Sequence, residues 1–467
     1  MHALKSLTPQ RQCSHLQNVV SLLGATAVVA ALCVRPALAQ RAAFFKDPVT
    51  FCTRDNCANS NPMGLVTAEL VDDPDDPNDN GYPDVAVVNR DGDSVSVFHN
   101  TGDWSDPGSA LVRIGVFSLG VNQNPYDIKA GHMGDHLGDL PADSHLDLVI
   151  TLAANKVAIL YNDETGEGQF GNRDDIDLET RFPRGLVVAD LDLDGRQDVA
   201  VAGYDVLGDH SYPTAELLWR EEDATWEHRV IGEDEGMPAG ANGLDMVAGR
   251  VVKSPGSPPP LDLVMTAGSH SYLITLLNEG DREFADPIVQ DTTDVTDAPL
   301  GLGLGYFHRG LLRLGLVATD CWDSSEPIGE QADVYLWYDD RPGPPGSGFV
   351  LQDEYLLKSG EQVGKGPWGV AVGKLNGDAD NDFVVAIGQD APCSPGGGIA
   401  VFVGKGDGTF VEPPWLFCVD PGNSPKPRFV KIADMDLDGF NDVVTSNYDR
   451  HNISVLINAL EAIPPGG

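Results

Sequence analysis

A short phrase recurs seven times along this chain, and it is the feature that most limits the fold. Each copy begins with a Pro or Ala, continues with one variable residue and usually a Gly, and then enters an apolar run. Successive copies stand 58 to 68 residues apart. A near-constant period over seven copies indicates a repeat architecture in which each copy forms one structural unit. The variable residues are Met63, Tyr126, Arg184, Asn242, Leu300, Trp368 and Arg428.

Every copy continues with further short apolar runs. The last copy has a second run from Asp442 and a third from Ile453, and in most copies a turn then leads to a fourth run. The chain also contains 52 Gly and 33 Pro residues, which favours many turns and argues against long helices. Four runs per copy predict a four-stranded antiparallel sheet. Seven such sheets around an axis make an all-β, seven-bladed β-propeller.

The two ends of the repeat region are expected to meet. The last copy stops near Asn458, soon after its third run, and an extended, partly apolar run at Phe44–Phe51 precedes the first copy. We predict that this run supplies the missing outer strand of blade seven. The predicted domains are therefore an N-terminal extension (40–62), the propeller (63–458) and a C-terminal tail (459–467).

The first 39 residues are typical of a signal peptide. Lys5 and Arg11 precede an apolar run from Val19 to Cys33, and Ala37-Leu38-Ala39 is a small-x-small cleavage site. We predict cleavage after Ala39 and a secreted, periplasmic or cell-surface protein without a membrane span. Five cysteines would remain, and Cys52 and Cys57 are the easiest local disulfide pair.

The charge of the chain limits its partners. There are 71 acidic and 30 basic residues, for a net charge of −41. Nucleic acid and anionic membrane surfaces would be repelled, whereas cations would be attracted. An acidic surface that serves solubility or adaptation to a salty habitat is the alternative explanation, so the positions of the acids decide between the two.

Two loops between the first and second runs have a regular pattern of acids. Carboxylates stand at loop positions 1, 3, 5 and 9, Gly stands at position 6, and the carbonyl of position 7 can add an oxygen. Such a loop can supply the six to eight oxygen ligands that Ca²⁺ prefers. An EF-hand is rejected because position 12 holds Val201 or Thr445 instead of Glu. The loop residues are Asp190, Asp192, Asp194, Arg196 and Asp198 in blade three, and Asp434, Asp436, Asp438, Phe440 and Asp442 in blade seven.

The other loops follow the pattern less well. Blade two has Pro141 at position 3, blade six has Lys374 at position 1, blade four keeps only Asp262, and blade five has no acids and is expected to bind nothing. Ordinary polar turns are the alternative for any single loop. The additional candidate calcium ligands are Asp76, Asn78, Asn80, Tyr82 and Asp84 in blade one, Asp139, Asp143 and Asp147 in blade two, and Asn376, Asp378, Asp380 and Asp382 in blade six.

The loop spacing, the apolar strand that follows it and the turn at Gly406–Phe410 resemble the FG-GAP/VCBS repeat family. Integrin α-subunit heads and many exported bacterial proteins are similar. The resemblance covers about residues 60–458. It implies a seven-bladed propeller with several structural calcium ions in its blade loops, but it implies no single activity.

The variable residues of the repeated phrase are expected to gather at one mouth of the central channel. Aromatic rings stack on sugars and Arg pairs with carboxylates, so a glycan or a small anionic ligand is one interpretation, and simple packing is the other. The candidate ligand-binding residues are Tyr126, Arg184, Asn242, Trp368 and Arg428.

The sequence contains no Gly-x-Ser-x-Gly elbow, phosphate-binding loop or His-Glu-x-x-His motif. We therefore expect a monomeric, non-enzymatic recognition or scaffold module whose partner is an unidentified protein or glycan. The alternative is a carbohydrate-active propeller, either a lectin or a polysaccharide lyase or hydrolase, with its site at the channel mouth. A structural module in an envelope assembly is a third interpretation.

Overall fold

The computed structural model describes residues 44–71, 81–134, 145–162, 168–251, 259–268, 271–293, 298–309, 314–320, 334–339, 349–359, 362–390 and 396–460. Two compact units divide the chain. One consists of Met1–Lys46 and Asn458–Gly467. Among its described residues, Phe45 forms a β-bridge with Asn458, and the Ala459 N–H donates to the Phe44 carbonyl at 2.9 Å. The other unit, Asp47–Ile457, contains all the strands named below.

The first part of the chain forms one strand that belongs to blade seven and then three regular blades. These strands are β1 (Val49–Cys52), β2 (Pro62–Ala68), β3 (Asp84–Asn89), β4 (Ser94–Asn100), β5 (Leu111–Ser118), β6 (Pro125–Gly131), β7 (Asp147–Leu152), β8 (Lys156–Tyr161), β9 (Asn172–Asp177), β10 (Leu186–Ala189), β11 (Asp198–Leu207), β12 (His210–Arg220) and β13 (Trp226–Ile231). Blades one, two and three are β2–β5, β6–β9 and β10–β13, each antiparallel and in chain order.

The later blades are built in the same way, with small additions. Their strands are β14 (Asn242–Gly249), β15 (Asp262–Gly268), β16 (Tyr272–Leu276), β17 (Asn278–Gly280), β18 (Glu283–Phe284), β19 (Ile288–Asp291), β20 (Pro299–Gly305), β21 (Gly315–Asp320), β22 (Val334–Asp339), β23 (Phe349–Tyr355), β24 (Lys358–Ser359), β25 (Gln362–Gly373), β26 (Asp382–Asp390), β27 (Gly398–Phe402), β28 (Trp415–Phe417), β29 (Pro427–Ala433), β30 (Asp442–Asn447) and β31 (Asn452–Leu456). Short 3₁₀ turns lie at Asp55–Cys57, Glu233–Glu235 and Tyr448–Arg450.

Blade four is β14-β15-β16-β19 with a separate β17–β18 hairpin, and blade five is β20–β23. Blade six is β25–β28 with β24 added at its edge. Blade seven has the order β1-β31-β30-β29, so β1 is its outer strand. The prediction of an all-β, seven-bladed propeller is confirmed. None of the helices in the described ranges is long and apolar enough to cross a membrane.

The seven first strands form a closed inner ring. In the order β2, β6, β10, β14, β20, β25, β29, each contacts the next, and β29 contacts β2. Hydrophobic clusters fill the spaces between neighbouring blades: Val149 and Val199 share one cluster, and Val264 and Leu316 share another. The burial of apolar side chains between neighbouring blades therefore holds the blades together, because a single four-stranded sheet cannot cover its own apolar faces.

The inner strands approach each other too closely for a side chain at one position. A Cβ atom on Gly301 would lie 2.2 Å from the Trp368 carbonyl oxygen of the next blade, and one on Gly369 would lie 2.8 Å from the Arg428 carbonyl oxygen. Gly64 faces Asp127 of blade two in the same way, with a Cβ-to-Cα distance of 2.7 Å. The Gly of the repeated phrase is therefore a requirement of ring packing.

Buried threonines on the second strands reinforce the same junction. Thr319 Oγ1 accepts the Gly301 N–H of its own blade (2.9 Å) and donates to the Trp368 carbonyl of the next blade (2.5 Å). Thr266 in blade four makes an equivalent donation to Leu300 at 2.9 Å. Each buried hydroxyl group thus joins two inner strands. It also satisfies backbone groups that have no partner in the β-ladders of the two blades.

Gly301→Ala is expected to destabilise the ring by roughly 1–3 kcal/mol, because the new methyl group overlaps the backbone of blade six. The measurement is the urea midpoint of the purified protein. Gly171→Ala is the control, since no atom lies within 4 Å of a Cβ at Gly171. Equal midpoints for the two variants would contradict the close approach of the inner strands.

Candidate metal centre and channel mouth

The acidic loops of blades three and seven adopt the same conformation. One carboxylate oxygen from each of Asp190, Asp192 and Asp194 lies within 4.8 Å of the others. The blade-seven loop brings its three early aspartates together in the same manner, and these are Asp434, Asp436 and Asp438. In both loops the backbone has a positive φ at the Leu of position 4 (Leu193 or Leu437) and at the Gly of position 6. Two stretches far apart in the chain thus form one kind of site.

Backbone N–H groups hold the first carboxylate of each loop in place. The Asp194 and Gly195 N–H groups donate to the two oxygens of Asp190 at 3.1 and 3.0 Å. In blade seven, the equivalent donors to Asp434 lie at 3.1 and 2.9 Å. These bonds form within the loop itself, so its own turn geometry arranges the acids.

The donor set fits a hard divalent cation. Three carboxylates within 4.8 Å repel each other, and a calcium ion would neutralise them while accepting their oxygens as ligands. Asp190, Asp192 and Asp194 would hold the ion in blade three, and Asp434, Asp436 and Asp438 would hold it in blade seven. The ion would supply positive charge that ties together the turn between the first two strands.

An arginine from the next blade reaches the blade-three loop. Arg282, in the β17–β18 hairpin of blade four, places Nε 2.8 Å from Asp192 Oδ2, and its Nη2 lies 4.0 Å from Asp194 Oδ2. It also binds Glu221 and Glu227. Sequence reasoning missed this residue, because it stands 90 positions from Asp192 and outside the repeated pattern.

The aspartate at loop position 9 has a different role from the three early acids. Asp198 is fully buried, and its two oxygens accept the N–H groups of Leu191 (2.9 Å) and Arg220 (3.0 Å). Asp382 accepts those of Leu375 (2.7 Å) and Gly404 (2.8 Å). Asp147 binds two backbone N–H groups in the same way. We call this arrangement the aspartate clip.

Neither Asp198 nor Asp442 belongs to the groups of three close carboxylates. The clip joins the turn between the first two strands to the end of the third strand. Burial raises the pKa of Asp198 to about 7, with the backbone donors opposing the shift and the nearby Asp192 and Asp194 adding to it. Burial likewise raises the pKa of Asp382 to about 6. Asp84 and Asp262 make corresponding bonds to Asn100 and Asn278.

A row of asparagines connects the clips of blades one, two and four to the preceding blade. Asn278 of blade four donates from Nδ2 to the carbonyl of Leu191 (2.8 Å), the residue between the two aspartates Asp190 and Asp192. Asn100 of blade one donates to Met435, the matching residue of blade seven, at 2.7 Å. The sequence carries a signal for this row, since an Asn closes the third run of four copies: Asn100, Asn162, Asn278 and Asn458.

The remaining predicted loops are described in part. Asp76, Asn78, Asn80, Asp139 and Asp143 lie outside the described residues. Tyr82, Asp84 and Asp147 lie inside them, and Asp84 and Asp147 are clip residues. The blade-six acids are also described: Asn376 Nδ2 donates to Asp378 at 3.0 Å, and Asp380 pairs with Arg309.

The channel mouth brings together most of the predicted ligand-binding residues. Tyr126, Trp368 and Arg428 line one cavity, together with Leu244 and Leu300. The Arg184 guanidinium lies 4.5 Å from the centre of the Tyr126 ring, and that of Arg428 lies 3.5 Å from the Trp368 ring. An arginine thus covers one face of the Tyr126 ring and one face of the Trp368 ring, where a sugar could otherwise stack.

In blade four, the residue at the channel mouth differs from the one that the repeated phrase predicts. Gly131 in β6 and Gly249 in β14 are the last paired residues of their inner strands. Tyr126 lies five residues before Gly131, and Leu244 lies five residues before Gly249, so Leu244 is the equivalent of Tyr126. Asn242 stands two residues earlier. The register of blade four shifts between Gly243 and Met246, as that of blade two shifts between Pro125 and Ile128, so Gly243 corresponds to Pro125. The letters Asn242-Gly243 imitate the phrase of the other blades but stand two residues too early.

Charged side chains that sequence reasoning missed lie behind the mouth. Asp127 and Asp245 line the cavity, and Lys129 Nζ lies 2.5 Å from Asp127 Oδ2. Burial raises the pKa of Asp245 to about 6, and the charge of Asp127 adds to the shift. Burial lowers the pKa of Lys431 to about 8, and Lys129 adds to that shift. The sequence does contain a signal for these two acids, because Asp127 and Asp245 each interrupt the apolar run of an inner strand.

A family model matches two segments of the chain. Residues 139–201 and 374–445 match the model of the FG-GAP-like repeat, and these segments contain the loops of blades three, six and seven. No curated protein matches the chain. One solved structure that is similar is the V. cholerae biofilm matrix protein Bap1, with 10% identity, 90% of this chain and 91% of that chain covered, and a TM-score of 0.46.

Asn278→Ala is expected to lower the free energy of unfolding by about 1–3 kcal/mol, because the carbonyls of the buried Leu191 and the partly buried Leu261 lose a donor. Urea unfolding checks the value. Asn172→Ala, at an exposed position of β9, is the matched control and should change stability little. A loss no greater than that of the control would show that the asparagine does not join the blades.

Asp245 should make stability fall as the pH rises. Its folded-state pKa of about 6 exceeds the value near 3.9 of an unfolded chain, so the unfolded state loses this proton first between about pH 4 and 6. We expect Asp245→Asn to remove that part of the fall. The measurement compares melting temperatures of both proteins from pH 4 to 7, and parallel curves would contradict the prediction.

The chain is thus a seven-bladed β-propeller that carries FG-GAP-like repeats.

Proposed function

We propose that this protein is an exported, non-catalytic β-propeller that calcium stabilises and that acts as a recognition or scaffold module. The observation that carries the proposal is the pair of matching aspartate groups in blades three and seven. Their acids converge within 4.8 Å in both loops, with the same backbone conformation and the same internal hydrogen bonds.

The position of the loops favours a structural role for the ion. In each loop, the buried residue between the first two acids (Leu191 or Met435) donates its N–H to the clip of its own blade. Its carbonyl accepts a hydrogen bond from the next blade. An ion held by the flanking aspartates would therefore stabilise the junction between two blades, since the same short segment carries both.

Recognition or scaffolding is the activity class that this architecture supports best. Seven blades form a closed ring, and FG-GAP-like repeats occur in two segments. Cys52 and Cys57 form a disulfide, as predicted, and such bonds persist mainly in oxidising compartments. This supports export, although the proposed signal peptide lies outside the described residues.

Carbohydrate binding at the channel mouth is the second candidate, favoured by the aromatic and arginine side chains gathered there. Two observations weigh against it. The guanidinium groups cover ring faces, and Tyr126 packs edge-on against Phe429 with ring centres 6.0 Å apart. A glycan array probed with the purified protein, together with a polysaccharide turnover assay, separates this candidate from scaffolding.

Calcium removal is expected to lower the melting temperature, because an ion that binds only the folded state adds stability. At a free concentration 100 times its Kd, one site adds about 2.7 kcal/mol. Asp192→Ala and Asp436→Ala should each lose one bound calcium, measured by metal analysis after dialysis, and should each reduce the melting shift that chelation causes.

Asp209→Ala is the control, because Asp209 is an exposed residue in the turn between β11 and β12. It should bind as much calcium as the unchanged protein. Asp192 also pairs with Arg282, so the diagnostic quantity is the difference between melting temperatures with calcium and with chelator. A purified protein that contains no calcium and melts identically under both conditions would refute the proposal.

A further inference from the structure

The loop of blade six holds a side chain from blade five. Asp380 is 4% exposed, and the Arg309 guanidinium approaches it with two nitrogens. Nη2 lies 2.7 Å from Oδ2, and Nε bonds to Oδ1. Such a two-point contact uses both carboxylate oxygens and matches the planar geometry of the two groups.

The backbone around Arg309 places the guanidinium. Arg309 ends the described part of the loop after β20, and its N–H donates to the Gly406 carbonyl of blade six at 2.8 Å. The Gly408 N–H donates to the Phe307 carbonyl at 3.1 Å. Phe307 itself is buried and packs against Phe410, with ring centres 5.2 Å apart. Two backbone bonds and a buried ring therefore anchor the arginine.

Gly406 leaves the space that the pair requires. It has a φ of +70°, and a Cβ atom there would lie 2.5 Å from Asp380 Oδ1. The glycine of the turn at Gly406–Phe410, which contributed to the family resemblance, thus allows the turn to lie against the carboxylate. A larger residue would collide with the Asp380 side chain.

The remaining polar groups of the loop are also directed toward the chain itself. Asn376 donates its amide nitrogen to Asp378 at 3.0 Å, and the Asp380 N–H donates to Asp378 Oδ1 at 2.8 Å. Lys374 stands where blades three and seven have their first aspartate. Of the three loop positions whose aspartates converge in blades three and seven, two hold Lys374 and Asn376 in blade six, and only Asp378 keeps a carboxylate. The residues of this loop therefore do not fit calcium.

We propose that Arg309 serves as the cation of the blade-six loop and takes the place of a calcium ion there. The acid-free loop of blade five then has a function, since it delivers the arginine that blade six requires. Blades five and six are joined through a covalently attached charge, which no chelator can remove. The calcium part of this inference rests on the proposed function, but the pairing of Arg309 with Asp380 does not.

The first experiment counts calcium in the dialysed mature protein. Asp380→Asn should bind as many calcium ions as the unchanged protein, whereas Asp192→Ala and Asp436→Ala should each bind one fewer. Loss of one calcium ion in Asp380→Asn would overturn the inference, because it would make Asp380 a calcium ligand.

The second experiment measures the pair in the presence of chelator, so that it remains decisive even if the protein binds no calcium. In the Arg309→Gln background, Asp380→Asn should shift the melting temperature by less than half of its shift in the unchanged protein. Additive shifts would overturn the inference.

Arg309→Gln alone gives a test that does not depend on a buried substitution, since the Arg309 side chain is 61% exposed. It should lower the melting temperature in chelator by more than Arg181→Gln. Arg181 is the matched control, because it is 56% exposed and pairs with Asp205 at 3.2 Å. Equal shifts for the two variants would also overturn the inference.

Discussion

The aspartate clip is the interaction on which the blades depend. A carboxylate buried as deeply as that of Asp198 or Asp382 requires hydrogen bonds to both oxygens, and it finds them in N–H groups from two separate segments. In blades one, two, three and six the clip thereby fixes the first turn of the blade against the end of its third strand. Blade five has Gly315 at this position, and there the loop is held from outside through Phe307 and Arg309.

The clip also explains why ion binding and ring stability should be linked. The residue that donates to the clip in blades three and seven lies between two of the converging aspartates, and its carbonyl is bound by Asn278 or Asn100 of the next blade. Charge neutralisation in the loop, fixation of the turn and the joining of two blades therefore act on one short segment. In blade six an arginine from its neighbour contacts the corresponding loop. Under our two proposals, the ring would use two kinds of cation for one structural purpose.

Much of the fold could be predicted because its signals are local. Alternating apolar runs and turn residues define strands, and the seven second strands begin where the repeat predicted, from Asp84 in blade one to Asp442 in blade seven. The convergence of Asp190, Asp192 and Asp194 follows from a single turn with Gly195. The sequence pattern misled where similar residues occur out of phase: Asn242-Gly243 resembles the phrase of the other blades, but the pairing of β14 with β15 makes Leu244 the counterpart of Tyr126 at the channel mouth.

The sequence by itself determined the all-β class, the number of blades and which loops concentrate acids, since each depends on residues only a few positions apart. Tertiary structure decided how these acids are used. The pattern of four carboxylates divides into three that converge and one that is buried as a clip, because the fourth begins a strand inside the sheet. The arginines that reach two of the loops come from neighbouring blades, and only the packing of one blade against the next brings Arg282 to Asp192 and Arg309 to Asp380.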